Sequence, residues 1–179
     1  ESDINNSTSL LSPSFCIFCG LAVSDFSSGS VCRRCWAQIC PLRADCVRCG
    51  QQYAAGACDR CSQCRDLAWV DVARSYGPYR TELGIILRRY KYRGDLSLAA
   101  GLAALLTLAF ELHFGSSQWD LLTPVPTHPA RVRERGFDHL KLLGAMAGKH
   151  LSLPSRAVLA KRLPSRPQAG LSENQRRRN

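Results

Sequence analysis

The hydrophobic positions in the middle of the chain recur with the period of an α-helix. One set follows the i, i+3, i+4, i+7 spacing that lines a single helix face: Leu83, Ile86, Leu87 and Tyr90. A second helix is predicted from Leu96 to about Phe114. Its longest apolar run has about 15 residues, fewer than the roughly 20 that a helix needs to span a bilayer. This run therefore predicts a buried helix and no membrane span.

Two shorter stretches have the pattern of β-strands. Residues 69–73 alternate in polarity before Gly77-Pro78 interrupts the pattern, and residues 120–125 predict a short buried strand that runs into a loop. A third helix follows, with one apolar face formed by Leu140, Leu143, Ala147 and Leu151. Helix, strand and helix in this order predict an α/β fold with a parallel sheet. Ligands of such sheets bind beyond the carboxyl ends of the strands, here in the loop 124–136.

All ten cysteines lie between Cys16 and Cys64. Apart from Cys40, which stands alone, they form three C-x-x-C pairs and a triplet: Cys16/Cys19, Cys32/Cys35, Cys46/Cys49 and Cys58/Cys61/Cys64. A two-residue gap lets both thiolates bind one ion, and four thiolates satisfy tetrahedral Zn²⁺. A glycine follows the first and third pairs, and the pattern repeats after 30 residues. We therefore predict two successive zinc ribbons.

The spacing determines the first zinc site but leaves the second open. The first site is predicted to contain Cys16, Cys19, Cys32 and Cys35. The second combines Cys46 and Cys49 with either Cys58/Cys61 or Cys61/Cys64, and close repetition of the first site favours the later pair. A disulfide framework is the alternative for ten cysteines. Paired C-x-x-C motifs without a secretory signal instead favour metal binding in the reducing cytoplasm. Since four thiolates leave no open coordination position, a structural role is predicted for both zinc ions.

The positive charge is concentrated at the other end of the chain. The net charge is +10, and residues 120–179 carry 12 Lys/Arg against 4 Asp/Glu. Arginines at 131, 133 and 135, and again at 176–178, predict contact with an anion such as phosphate or nucleic acid. A solvated basic face is the alternative. With 45% hydrophobic residues the chain can build a core, which excludes a wholly disordered protein.

Four stretches match, in order, the motifs of one known family. The cysteine pairs are similar to its N-terminal ribbons, and Tyr76-Gly77 followed by residues 90–94 is similar to its "Y…KY.G" segment. Its "PVP…RGFN" and "Q..LS…R..N" segments are matched by Pro124-Val125-Pro126, Arg135-Gly136-Phe137, Gln168, Leu171, Ser172, Arg176 and Asn179. The chain thus resembles the ComF/GntX family of double-zinc-ribbon, phosphoribosyltransferase-like proteins.

The resemblance implies a partial type I phosphoribosyltransferase-like parallel sheet behind an N-terminal double zinc ribbon. It implies that the loop 124–127 cradles pyrophosphate and that a flap at about 168–179 closes over phosphoribosyl pyrophosphate. The implied pyrophosphate- or phosphate-binding residues are Pro124, Val125, Pro126, Thr127, Arg135, Gly136 and Arg176. Family members usually place the last cysteine pair where Cys58 and Cys61 stand. The resemblance therefore implies a second site of Cys46, Cys49, Cys58 and Cys61.

The family's phosphoribosyl-pyrophosphate motif, "DD..TTG", is absent from this sequence. We therefore expect a shortened chain that is itself inactive. Complete members would bind phosphoribosyl pyrophosphate with Mg²⁺, and the family is linked to competence and DNA uptake. The alternative is a zinc-ribbon protein that binds nucleic acid or a component of the DNA-uptake machinery. The expected organisation is a disordered segment 1–13, a double zinc ribbon 14–66 and an incomplete phosphoribosyltransferase-like domain 67–179.

Overall fold

Six α-helices make up most of the regular structure in the described part of the chain. The computed structural model describes residues 14–23, 29–52, 57–59, 61–64, 70–115, 118–163 and 171–178. The helices are α1 (Arg33–Ala37), α2 (Glu82–Arg93), α3 (Ala99–Phe114), α4 (Pro129–Arg135), α5 (His139–Leu151) and α6 (Glu173–Arg178). A 3₁₀ turn, Leu96–Leu98, leads into α3. The segment 1–13, predicted to be disordered, lies outside the described residues.

The three helices predicted from hydrophobic spacing are confirmed as α2, α3 with its leading turn, and α5. Leu83, Ile86 and Tyr90 of α2 are buried, as their common face requires. Helix α4 occupies part of the segment predicted as a loop. It begins at Pro129, which suits a first helical position because the N–H that proline lacks would have no partner inside the helix.

The predicted parallel sheet is wrong for the described residues, which contain isolated bridges and no β-strand. Residues 120–125 reach only one parallel bridge, between Leu122 and Ser155. The Leu122 N–H donates to the Pro154 carbonyl at 3.0 Å, and the Leu122 carbonyl accepts from the Arg156 N–H at 3.0 Å. Proline residues at 124, 126 and 154 lack the N–H that a longer ladder needs. An apolar cavity of about 550 Å³ lies beside this bridge, between α2, α3 and α5.

The other predicted strand, at 69–73, is also not observed. Trp69 lies outside the described residues, and residues 70–73 have no strand conformation. The Ala73 N–H donates to the Arg48 carbonyl at 2.7 Å, which attaches this segment to the second cysteine-rich region. The partial phosphoribosyltransferase-like sheet expected from the family resemblance is therefore replaced by a largely helical arrangement in the described residues.

The main hydrophobic core joins the first cysteine-rich region to the helices. Helix α3 packs against α5, and the buried side chains come from both parts of the chain: Cys16, Val31, Cys35, Ile39, Leu83, Ile86, Tyr90, Leu98, Ala99, Leu102 and Leu105. The Trp36 ring of α1 packs so closely on Gly101 of α3 that a Cβ atom there would lie 2.3 Å from the ring. The first ribbon and the helices thus share one core.

The stretch Leu96–Phe114 has 19 residues and, by length and apolar composition alone, is able to cross a membrane. The core helix of a globular protein passes the same test. One face of this stretch is buried, with Leu98, Leu102 and Leu105 in the core. Nearer its C-terminal end the same stretch is less covered by the described residues, since Leu108 and Leu112 are exposed. The prediction of a buried helix is therefore confirmed only in part.

A polar cluster centred on Asp95 links the first ribbon to α2. The carboxylate accepts hydrogen bonds from the hydroxyls of Ser30, at 2.7 Å, and Ser97, at 2.5 Å. The Arg89 guanidinium also donates to it, at 3.2 Å. Burial alone would raise the pKa of Asp95, but the two hydroxyls and the guanidinium outweigh burial and hold that pKa below its usual value. The cluster fixes the loop before α1 against the end of α2.

Candidate metal centres and basic surfaces

The first cysteine cluster is formed by a turn and a short helix. Cys16 and Cys19 flank the turn, Cys32 is the N-cap residue of α1, and Cys35 lies one turn into α1. The four Sγ atoms lie within 4.8 Å of one another, and Cys16 and Cys35 are buried. This is the first site that the spacing predicted.

The turns that present the cysteine pairs repeat in detail. The Cys16 N–H donates to the Leu21 carbonyl at 2.8 Å, and the Gly20 N–H donates to the Cys16 carbonyl at 2.9 Å. Thirty residues later, the Cys46 and Gly50 N–H groups make the equivalent bonds at 3.0 and 2.9 Å. Gly20 and Gly50 both have φ of 70°. A side chain with a Cβ atom is strained at this angle, so glycine is the residue that closes each turn.

The second cluster contains Cys46, Cys49, Cys61 and Cys64, again with all Sγ atoms within 4.8 Å. The assignment of Cys58 from the family resemblance is therefore corrected, because Cys64 takes that place. The Cys58 backbone pairs with the segment beside Cys46, since its N–H donates to the Asp45 carbonyl and its carbonyl accepts from the Val47 N–H. A 3₁₀ turn at Ser62–Cys64 brings Cys64 back towards Cys61. The repeat count, which favoured the later pair, matches this cluster.

The sulfur separations fit one tetrahedral ion in each cluster. The Sγ atoms of Cys19 and Cys32 are 3.7 Å apart, and those of Cys49 and Cys61 are 3.6 Å apart. A tetrahedron with Zn–S bonds of about 2.3 Å has S–S edges of about 3.8 Å. A disulfide would require about 2.05 Å, and all ten cysteines are free thiols. Each cluster can therefore hold a zinc ion.

The thiols within each cluster differ in acidity. Backbone N–H groups, chiefly that of Cys49, lower the pKa of Cys46 to about 6. Burial alone would raise the pKa of Cys16, but N–H groups of Cys32 and Cys19 lower it to about 6. Burial and the neighbouring thiols raise the pKa of Cys35 to about 12. Four thiolates thus repel one another without a cation, and a divalent metal offsets that repulsion.

The predicted pyrophosphate loop is open to solvent but offers few donors. Pro124 and Pro126 have no N–H, and Val125 is 71% exposed. The Thr127 hydroxyl donates to Asp138 Oδ1 at 3.4 Å. The same oxygen accepts the N–H groups of Leu140 and Lys141, both at 3.2 Å. The N-terminus of α5, at the end of the predicted ligand loop, is therefore capped by the protein's own carboxylate.

Arg135 and Gly136, two further predicted phosphate ligands, have local structural contacts. The Arg135 guanidinium donates to Nδ1 of His139, and Gly136 is the residue at which α4 ends. Burial, together with Arg135 and Lys91, lowers the pKa of His139 to about 4, so this imidazole is neutral near pH 7. The Tyr90 hydroxyl donates to the His139 carbonyl at 2.9 Å. The hydrogen bond between Tyr90 and His139 holds the start of α5 against α2.

Other arginines of the C-terminal part face solvent. Arg131 pairs with Glu134, at 2.6 Å. Within the described residues, no salt bridge joins a carboxylate to the exposed side chains of Arg133, Arg156, Arg162 and Arg176, which we call the C-terminal arginine surface. Arg176, which the family resemblance implies as a pyrophosphate- or phosphate-binding residue, lies in α6, and no hydrogen bond between described residues joins it to the loop 124–127.

Comparison with known proteins identifies the family. Competence protein F of Haemophilus influenzae strain Rd is 30% identical to the chain over 170 residues, which are 92% of this chain and 72% of that protein. The chain belongs to the ComF family. Within this ComF-family protein, the predicted double zinc ribbon agrees with the two four-cysteine clusters. No family model and no solved structure matches the chain significantly.

Proposed function

We propose that this ComF-family protein acts in competence as a zinc-stabilised protein that binds DNA through its C-terminal arginine surface. The name of its relative from Haemophilus influenzae supports the link to competence. The observation that carries the DNA-binding part is the C-terminal arginine surface, where exposed guanidinium groups lack acidic partners among the described residues. Exposed guanidinium groups without an acidic partner bind phosphate readily, because their planar set of N–H donors matches the geometry of the phosphate oxygens.

Zinc in this proposal has a structural role. Four thiolates complete a tetrahedral site and leave no position for a substrate or water. Cys16 and Cys35 also lie in the main core, so an ion held there stabilises the packing of α1 on α2 and α3. A cytoplasmic location, where thiols stay reduced, is part of the same proposal.

Three expectations from the family resemblance remain predictions. They are that complete family members bind phosphoribosyl pyrophosphate, that Mg²⁺ accompanies this ligand, and that this chain is inactive. The geometry gives it less support than DNA binding. The Asp138 carboxylate already accepts the N–H groups at the start of α5 and the Thr127 hydroxyl. A pyrophosphate placed beside this negative group would be repelled, which is why we favour DNA as the anionic ligand.

The dependence of binding on ionic strength distinguishes DNA from phosphoribosyl pyrophosphate as the ligand. Binding of fluorescein-labelled DNA to the zinc-loaded protein, measured by anisotropy, is expected to weaken steeply between low and moderate salt. The log–log slope should be about −0.7 to −0.9 per phosphate contact. The Arg133→Gln/Arg156→Gln variant should lose about two contacts and flatten the slope by about 1.5. The control Arg80→Gln/Lys149→Gln removes the same charge from exposed positions outside this surface. Salt-independent binding, or equal effects of the two variants, would refute the proposal.

A further inference from the structure

A groove that the sequence patterns did not indicate lies between the first cysteine turn and the outer face of α2. Its volume is about 450 Å³. Ile17 and Phe18, which stand between Cys16 and Cys19, form one wall. The other wall is the exposed side of α2, with Ile85, Tyr92 and three arginines. We call this site the α2 groove.

The α2 groove exposes flat and apolar surface on the helix side that faces away from the core. Leu83, Ile86 and Tyr90 are buried on the inner side, whereas Ile85 is 41% exposed and Tyr92 63% exposed. A helix face that only meets water is normally polar. An exposed tyrosine ring opposite Phe18 instead provides a surface on which another planar group can stack.

The same groove is strongly basic. Arg88 stacks on Tyr79, with Cζ 5.7 Å from the ring centroid, and Arg89 donates to Asp95. Within the described residues, no salt bridge joins a carboxylate to Arg88 or Arg93. Lys91 does not line the groove, but its Nζ lies 5.4 Å from the Tyr92 ring centroid and adds a positive charge beside it. Two guanidinium groups beside an exposed aromatic ring are thus available to an external anion.

We propose that the α2 groove binds single-stranded nucleic acid. Arg88 and Arg93 contact backbone phosphates, and a base stacks on Tyr92. Basic grooves with stacking rings are the usual means of binding single strands, whose base faces are accessible. A duplex buries those faces, so it cannot use Tyr92 in this way. An acidic peptide would pair with the arginines but would gain nothing from the ring.

This inference rests on the proposed function, since both take nucleic acid as the ligand, but it places a second contact surface on the first cysteine turn and α2, away from the C-terminal arginines in sequence. The first cysteine turn forms one wall, so the arrangement gives the first metal cluster a direct part in shaping a binding surface. The two surfaces are tested separately because they share no residue.

The test uses the zinc-loaded protein and a fluorescein-labelled oligo-dT, with an unlabelled DNA hairpin as competitor. Tyr92→Ala should weaken oligo-dT binding by about fivefold or more, the loss expected for one stacked base. Tyr92→Phe keeps the ring and should bind as the wild type does. Arg88→Gln/Arg93→Gln should reduce the salt slope by about 1.4, the value for two contacts to a single strand. Arg89 is left unchanged because it holds Asp95.

The outcomes separate this inference from the proposed function. Binding that is lost in Arg133→Gln/Arg156→Gln but unchanged in both α2-groove variants overturns the groove and leaves the proposed function intact. A wild-type protein that binds no DNA overturns both. Equal losses in the Arg80→Gln/Lys149→Gln control would show a non-specific charge effect, and a hairpin that competes as well as oligo-dT would show duplex binding. Either result also overturns the groove assignment.

Discussion

Asp95 connects three parts of the molecule through one carboxylate. Ser30 belongs to the loop before α1, Ser97 to the turn before α3, and Arg89 to α2, and all three donate to it. Since a carboxylate accepts these bonds best when ionised, the pKa of Asp95 lies below its usual value although burial opposes this. The first ribbon is therefore held to the helices by a charge as well as by apolar packing.

Asp95→Asn is expected to lower the free energy of unfolding by about 1–2 kcal/mol near neutral pH, because bonds to a charged acceptor become bonds to an amide. The folded-state pKa lies below the unfolded value of about 3.9, so the carboxylate stabilises fully above about pH 4. This contribution is lost as the pH falls through the lowered folded value. Urea unfolding of both proteins should show a stability gap near pH 6 that closes in acid. Asp120→Asn, at an exposed position, is the control; a gap independent of pH would contradict the assignment.

The residues of the second cluster show where sequence reasoning succeeds and where it fails. The 30-residue repeat indicated Cys61 and Cys64, because two turns with the same hydrogen bonds require partners at matching distances. The family resemblance indicated Cys58 instead. The spacing of the cysteines does not show that the Cys58 backbone forms a β-bridge with Cys46. This bridge joins two separate segments, and no local sequence pattern encodes such a contact.

At the scale of elements, the three longer helices were predictable, whereas the predicted strands were wrong and the short helices α1, α4 and α6 were not indicated. The period of α2 and α5 is set by side chains within each helix, so the sequence alone contains it. A strand needs a partner, and the segment at Leu122 finds only one bridge before proline interrupts the hydrogen bonding. The α2 groove was missed for a related reason. In the sequence, the groove is indicated only by Ile85 and Tyr92, which are hydrophobic residues on the otherwise polar side of α2. Phe18, which forms the other wall, comes from a turn that is distant in sequence.

Gly101 tests the packing of α1 on α3. Alanine is normally the better helix former by about 1 kcal/mol, but a Cβ atom here would lie 2.3 Å from the Trp36 ring. Gly101→Ala is therefore expected to destabilise the protein by about 1–3 kcal/mol, measured by thermal unfolding. In a Trp36→Leu background the same change should become neutral or stabilising. A higher melting temperature for Gly101→Ala in the wild-type background would contradict this contact.

For the whole molecule, the two four-cysteine clusters have different surroundings. The first lies within the main core, whereas Cys46, Cys61 and Cys64 form a separate buried cluster. Exposed basic side chains lie in two parts of the chain, at α2 in its middle and at the C-terminal arginine surface. The family resemblance and the cysteine repeat together identified the ribbons. The absence of a sheet from the described residues was not predictable, because sheet formation depends on contacts between distant segments.

Metal content tests the central claim, that the chain is built around two four-cysteine zinc sites. Native mass spectrometry of the protein purified without added chelator should show two zinc ions per chain, one for each cluster. Cys64→Ser should reduce the count to one, whereas Cys58→Ser should retain both ions. A wild-type protein with one ion or none, or a Cys58→Ser variant that loses an ion while Cys64→Ser keeps two, would contradict the account.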